Sequence, residues 1–111
     1  MKSKQHRTNT KEGIAVIAAE RRRQKRVERF TAERDDEYVN SELASAAAAY
    51  SLPEHARSVV LAGTEIPSCW PWDQKWWKPT SDDRVRELAK AGALIAAEID
   101  RLNRLQRKKR T

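Results

Sequence analysis

One cysteine, two histidines and three glycines are all that 111 residues hold of the residue types that build most compact chemical sites. Cys69 alone cannot form an internal disulfide, and a single thiol suits a reducing compartment. His6, His55 and Cys69 lack metal-ligand spacing, which argues against a structural zinc site. Gly13, Gly63 and Gly92 stand too far apart for a phosphate-cradling loop. The two histidines complete no Ser/His/Asp arrangement. Long hydrophobic runs are missing too. Nothing approaches the roughly 18 apolar residues that span a bilayer. The start, Met1-Lys2-Ser3-Lys4, leads into no secretory signal. These absences favour a binding protein of the cytoplasm over an enzyme, with no cofactor, no metal and no membrane.

Hydrophobic residues make up 39% of the chain and charged residues 35%. That balance suits one small, polar domain with a modest core, which oligomerisation would help. The net charge of +7 is unevenly spread. Residues 1–34 carry +7, residues 35–100 carry −6 and residues 101–111 carry +6. An acidic body between basic ends differs from a uniformly basic nucleic-acid surface. Basic ends can still meet nucleic acid, or the acidic body of a second subunit.

Periodicity predicts an all-α fold: a bundle of three to four helices with a long Trp-rich irregular loop before the last helix. Residues 1–9 are expected to form a disordered basic tail, 10–106 the domain and 107–111 a basic C-terminal tail that frays. The first helix is expected over about Thr10–Arg29, capped by Asn9 or Thr10. Phe30–Tyr38 breaks the helical pattern and reads as a loop or short turn. Leu43, Ala46, Ala47 and Tyr50 follow the spacing i, i+3, i+4, i+7, which predicts a helix over about Ser41–Tyr50. Ser51 and Glu54 suggest a further helix start, with Val59, Val60 and Leu61 on it and Gly63 ending it. Ser81 is the expected cap of the last helix. There Val85, Leu88, Gly92, Ile95, Ile99 and Leu102 repeat at three and four, with Ala91, Leu94 and Leu105 beside them. That apolar face is wider than one small domain needs, so a dimer or higher homo-oligomer is expected.

All four tryptophans fall in Trp70-Pro71-Trp72-Asp73-Gln74-Lys75-Trp76-Trp77-Lys78-Pro79. Indoles can pin a loop to a small core, each burying roughly 200 Å². They can also stack a base. In the second role Trp72, Trp76 and Trp77 are the expected stacking rings, with Lys78 on a phosphate and Asp73 on a sugar or amine. Arg22, Arg23 and Lys90 are further phosphate candidates. The crowded basic run Arg21–Arg26 can equally be a solvated face. Asp35-Asp36 could take ribose hydroxyls or a cation, orient those basic groups, cap a helix or pair with arginines.

Several of these segments together resemble small proteins of tailed bacteriophages and prophages. They are Glu20-Arg21-Arg22-Arg23-Gln24, then Phe30-Thr31-Ala32-Glu33-Arg34-Asp35-Asp36, and Glu42-Leu43-Ala44 followed by Ala46-Ala47 and Tyr50. The most specific are Trp70-Pro71-Trp72-Asp73, Trp76-Trp77-Lys78-Pro79 and Lys90-Ala91-Gly92-Ala93-Leu94-Ile95. The resemblance covers about residues 12–105. Arg29-Phe30 stand where those proteins carry Gly-Trp, and Arg34 stands where they often carry histidine. The segment is also loosely similar to the ryanodine-receptor repeat module, a helical domain found in bacterial defence systems as well. These resemblances imply a phage accessory protein in the bacterial host cytoplasm and keep a nucleotide-like ligand in view. The expected function is counter-defence by sequestering a nucleotide-derived signal. The alternatives are an inhibitor that grips a host protein through the Trp loop, and nucleic-acid binding through the basic termini.

Overall fold

A computed structural model describes residues 11–57 and 66–110. Among them are four α-helices and no strand: α1 (Gly13–Arg26), α2 (Ala32–Asp35), α3 (Glu42–Ser51) and α4 (Arg84–Arg110), with single 3-10 turns at Glu54–Ala56 and Gln74–Trp76. The fold is the small all-α bundle that the periodicity predicts. The proposed tail at residues 1–9, the Asn9/Thr10 cap, and Val59, Val60, Leu61 and Gly63 lie outside the described residues. No described helix is long and apolar enough to cross a membrane.

α1 ends with Arg23, Lys25 and Arg26, cations that suit the negative end of a helix. The chain then reverses through Arg29, whose φ of 63° is left-handed, and the Phe30 N–H bonds back to the Gln24 carbonyl at 3.0 Å. Glycine adopts that conformation at little cost, whereas an arginine there is strained. The segment expected as a loop contains one helical turn, α2. Thr31 caps it by accepting the Arg34 N–H at 3.1 Å.

α3 packs on α4 through Leu43, Ala46, Ala47, Ala49 and Tyr50, all buried. Alanines let the two backbones come close, and the bulk of the core comes from Leu43 and Tyr50 of α3, Leu94 of α4, and Ile66 and Trp70 from outside the two helices. Ser51 does not start a new helix. It is the last residue of α3, and its hydroxyl donates to the Ala48 carbonyl. The open carbonyls at that end are taken by Arg84, whose guanidinium donates to Tyr50, Ser51 and Leu52. Glu87 is buried beneath this junction. It accepts from Arg84 at 3.1 Å, Arg57 at 3.4 Å and the Thr80 N–H at 3.0 Å.

α4 is capped by Asp83 rather than Ser81, since the Asp83 carboxylate accepts the Arg86 N–H at 3.1 Å. It continues as helix through Arg110, so 107–110 extend α4. Its buried side is Ala91, Leu94 and Ala97 with Glu87, Lys90, Glu98 and Arg101. Glu98 and Arg101 neutralise each other there, with bonds of 2.8 and 3.0 Å. The row Val85, Leu88, Ile95, Ile99 and Leu102 faces outward. α1 crosses this helix at Gly92: a Cβ added there would lie 2.6 Å from Ile17 Cδ1.

Candidate functional site

The four tryptophans do different work. Trp70 is buried, its indole N–H donating to the Asp73 carbonyl at 3.1 Å. Trp77 stacks on Tyr50 with ring centroids 4.8 Å apart, and meets Trp70 edge-on at 5.0 Å. Tyr50 meets Trp70 edge-on at 5.4 Å, and its hydroxyl accepts the Lys78 N–H at 3.2 Å. These contacts fasten the loop to α3. Trp72 packs edge-on to Trp70 and lies 5.1 Å from Tyr38. Trp76 is 55% exposed, with the Lys75 and Lys78 ammonium groups 5.3 and 5.9 Å from its ring centre. Its 3-10 turn is held by Asp73, whose carboxylate accepts the Lys75 N–H.

Between this loop, α1, α2 and α4 lies a cavity of about 400 Å³. Six aromatic rings reach it: Phe30, Tyr38, Tyr50, Trp70, Trp72 and Trp76. Arg23, Arg34, Lys78 and Lys90 bring four positive charges to its lining, against two negative charges from Glu28 and Asp73. Gln24 and Leu94 complete it. The volume lies within the ~300–1,000 Å³ usual for small-molecule sites, which are apolar with a few placed polar groups.

Arg34 is the cation most firmly placed. Its guanidinium carbon sits 3.8 Å over the Phe30 ring and 4.9 and 5.6 Å from the centres of Tyr38 and Trp72. The adjacent Asp35 anchors it from behind at 2.9 Å. Arg23 is held by both oxygens of Glu20, at 2.9 and 2.8 Å, and by Glu28 at 3.2 Å. Lys90 is largely buried and donates to the Lys78 carbonyl at 2.7 Å. Burial, reinforced by repulsion from Arg86, pulls its pKa below the ordinary lysine value. Burial raises the pKa of Tyr50 in the same region. Two cavity residues carry unmet polar atoms: Trp72 Nε1, a donor, and Gln24 Oε1, an acceptor, have no hydrogen-bond partner among the described residues.

The sequence-predicted set divides. Trp72, Trp76, Lys78, Arg23 and Lys90 meet at the cavity, and so does Asp73. Trp77 is not in the lining and packs behind it. Arg22 is exposed and not in the lining. Asp35 and Asp36 do not line it either. Asp35 is fully buried, between Arg34 and an Arg21 nitrogen 3.8 Å away. Desolvation raises its pKa against the pull of those arginines. Asp36 pairs with Arg104 on α4 at 2.8 Å, and that bond lowers its pKa. No group of three or more potential metal ligands exists among the described residues.

Phe30, Arg34, Tyr38, Gln24 and Glu28 are cavity residues that sequence reasoning left aside. Phe30 and Tyr38 flank α2, the single helical turn that carries Arg34, so no period in the sequence marks the three together. No family model, curated protein or solved structure matches the chain.

Proposed function

We propose that the chain is a phage or prophage accessory protein that sequesters a nucleotide-derived signalling ligand in this cavity, and so counters a host defence. The observation that carries the reading is the convergence of six rings and four cations on one concave site. A flat heterocycle takes the place beside the Trp72 and Trp76 rings. Phosphate takes the place near Lys78 and Lys90, whose charges are less fully compensated than those of Arg23 and Arg34. Counter-defence rests on the resemblance to phage proteins.

Calorimetric titration of the full chain with mono-, cyclic and dinucleotides tests the reading, with tryptophan fluorescence as a second readout. Saturable heat with quenching is expected. Trp76→Ala removes one exposed ring, so affinity should fall by roughly 5- to 150-fold, the equivalent of losing about 1–3 kcal/mol of stacking, without loss of fold. Neither heat nor quenching from any nucleotide overturns the proposal.

The exposure of Trp76 between two lysines favours a second reading, a protein inhibitor with this ring as its anchor. That reading expects a host protein, not a nucleotide, to be lost on Trp76→Ala.

A further inference from the structure

The outward row of α4 has a regular form. Val85, Leu88, Gly92, Ile95, Ile99 and Leu102 step by 3, 4, 3, 4 and 3, the a/d spacing of a heptad seam. The five side chains with bulk are 44–57% exposed, although they sit on a well-formed helix. Ile17 of α1 fills the notch at Gly92, and Ile14, one turn earlier on α1, is 77% exposed. With Leu105, this adds up to roughly 600 Å² of apolar surface, the upper end of what a typical monomer shows. We infer that α4 pairs antiparallel with α4 of a second copy of this chain.

Three features select this occupant. A heptad seam about 26 Å long, at 1.5 Å per residue, is the complement of another helix. Self-pairing would bury at most roughly 1,200 Å² over both copies, the lower bound of a stable specific interface. The charges on α4 then fix the direction. Asp82 and Asp83 are exposed before its first turn, while Arg107, Lys108, Lys109 and Arg110 crowd its end. An antiparallel pair centred between Gly92 and Ile95 brings Asp82 and Asp83 level with Leu105, one turn short of that basic end. A parallel pair would stack the two basic ends. Lys90 and Leu94 lie on the other side of α4, so both cavities stay open in the pair.

The mass of the full chain in solution reads this directly. Sedimentation or light scattering at tens of micromolar should give twice the 12.8 kDa of the chain. Ile95→Lys with Ile99→Glu should give a monomer with its helical circular dichroism retained. Direction is read by disulfide trapping in a Cys69→Ser background, using unsubstituted seam neighbours. An equimolar mixture of Val85→Cys and Leu102→Cys chains should form the mixed disulfide in preference to either homodisulfide. A monomer at every concentration overturns the inference, whether or not its stripe then binds anionic vesicles. So does a dimer indifferent to the Ile95/Ile99 changes, or homodisulfides in preference to the mixed product. None of these readouts depends on a nucleotide, so this inference and the functional proposal fail separately.

Discussion

Gly92→Ala should change sign with its neighbour. In an isolated helix the substitution gains about 1 kcal/mol, because alanine is the better helix former. Here the new methyl would lie 2.6 Å from Ile17 Cδ1, 2.8 Å from Cγ1 and 3.1 Å from Cγ2. All three atoms belong to one branched side chain, so a terminal rotation cannot clear them together. Overfilling a packed site costs about 1–3 kcal/mol, which leaves a net loss of about 1 kcal/mol. Ile17→Ala removes the obstruction. In that background Gly92→Ala should stabilise by about 1 kcal/mol. Urea unfolding of the four proteins, followed by far-UV circular dichroism at one protein concentration, measures the cycle. Stabilisation by Gly92→Ala in both backgrounds would refute the crossing of α1 over Gly92. The crossing also bears on the cavity, since α1 supplies Arg23 and Gln24 to it.

Arg29→Gly should stabilise the protein by about 1 kcal/mol, because it relieves a left-handed residue, and thermal unfolding would show a higher midpoint. Asp35→Ala should cost about 3–5 kcal/mol in denaturant unfolding by leaving Arg34 and Arg21 beside an empty buried site, and Asp35→Asn should cost less. The raised pKa of Asp35 adds a pH signature. Between the ordinary 3.8 and its higher folded value, the folded protein keeps a proton that the unfolded chain releases, so this group's contribution to stability falls as pH rises, and Asp35→Asn should remove that slope. For Lys90 the sign is opposite. Between its lowered folded pKa and 10.5 the unfolded chain holds the extra proton, so its contribution rises with pH, and Lys90→Met should flatten the curve. Anion affinity should fall as pH rises through the same lowered pKa, with proton uptake visible when titrations are compared in two buffers.

The helical fold is legible because α3 and the apolar rows of α4 repeat cleanly. Which row of α4 faces inward is not. Hydropathy favours the isoleucines, whereas the buried row holds alanines and one leucine beside a lysine, two glutamates and an arginine. Those charges can go inside only because Glu98 finds Arg101 and Glu87 finds Arg84 and Arg57, and the partner on residue 57 is distant in sequence. The Trp loop announces itself by composition, and Trp72, Trp76 and Lys78 follow from it. Arg34 is harder to find. Its role depends on the Thr31 cap turning an apparent loop into one turn of helix, which sends Arg34 to the cavity, Asp35 inward and Asp36 to Arg104. Adjacent carboxylates look like a pair in sequence and are separated by that turn.

The crowding of indoles has an optical consequence. Trp70 lies 5.3 Å from Trp72 and 5.0 Å from Trp77, each nearly edge-on or steeply tilted. Transition dipoles that close couple, so the folded chain should show an exciton couplet in its ultraviolet circular dichroism. The chain has no indole elsewhere to dilute that signal. Its sign and amplitude depend on the angles between the rings, so a guest that turns Trp72 by a few degrees would write its arrival into the spectrum without any added dye.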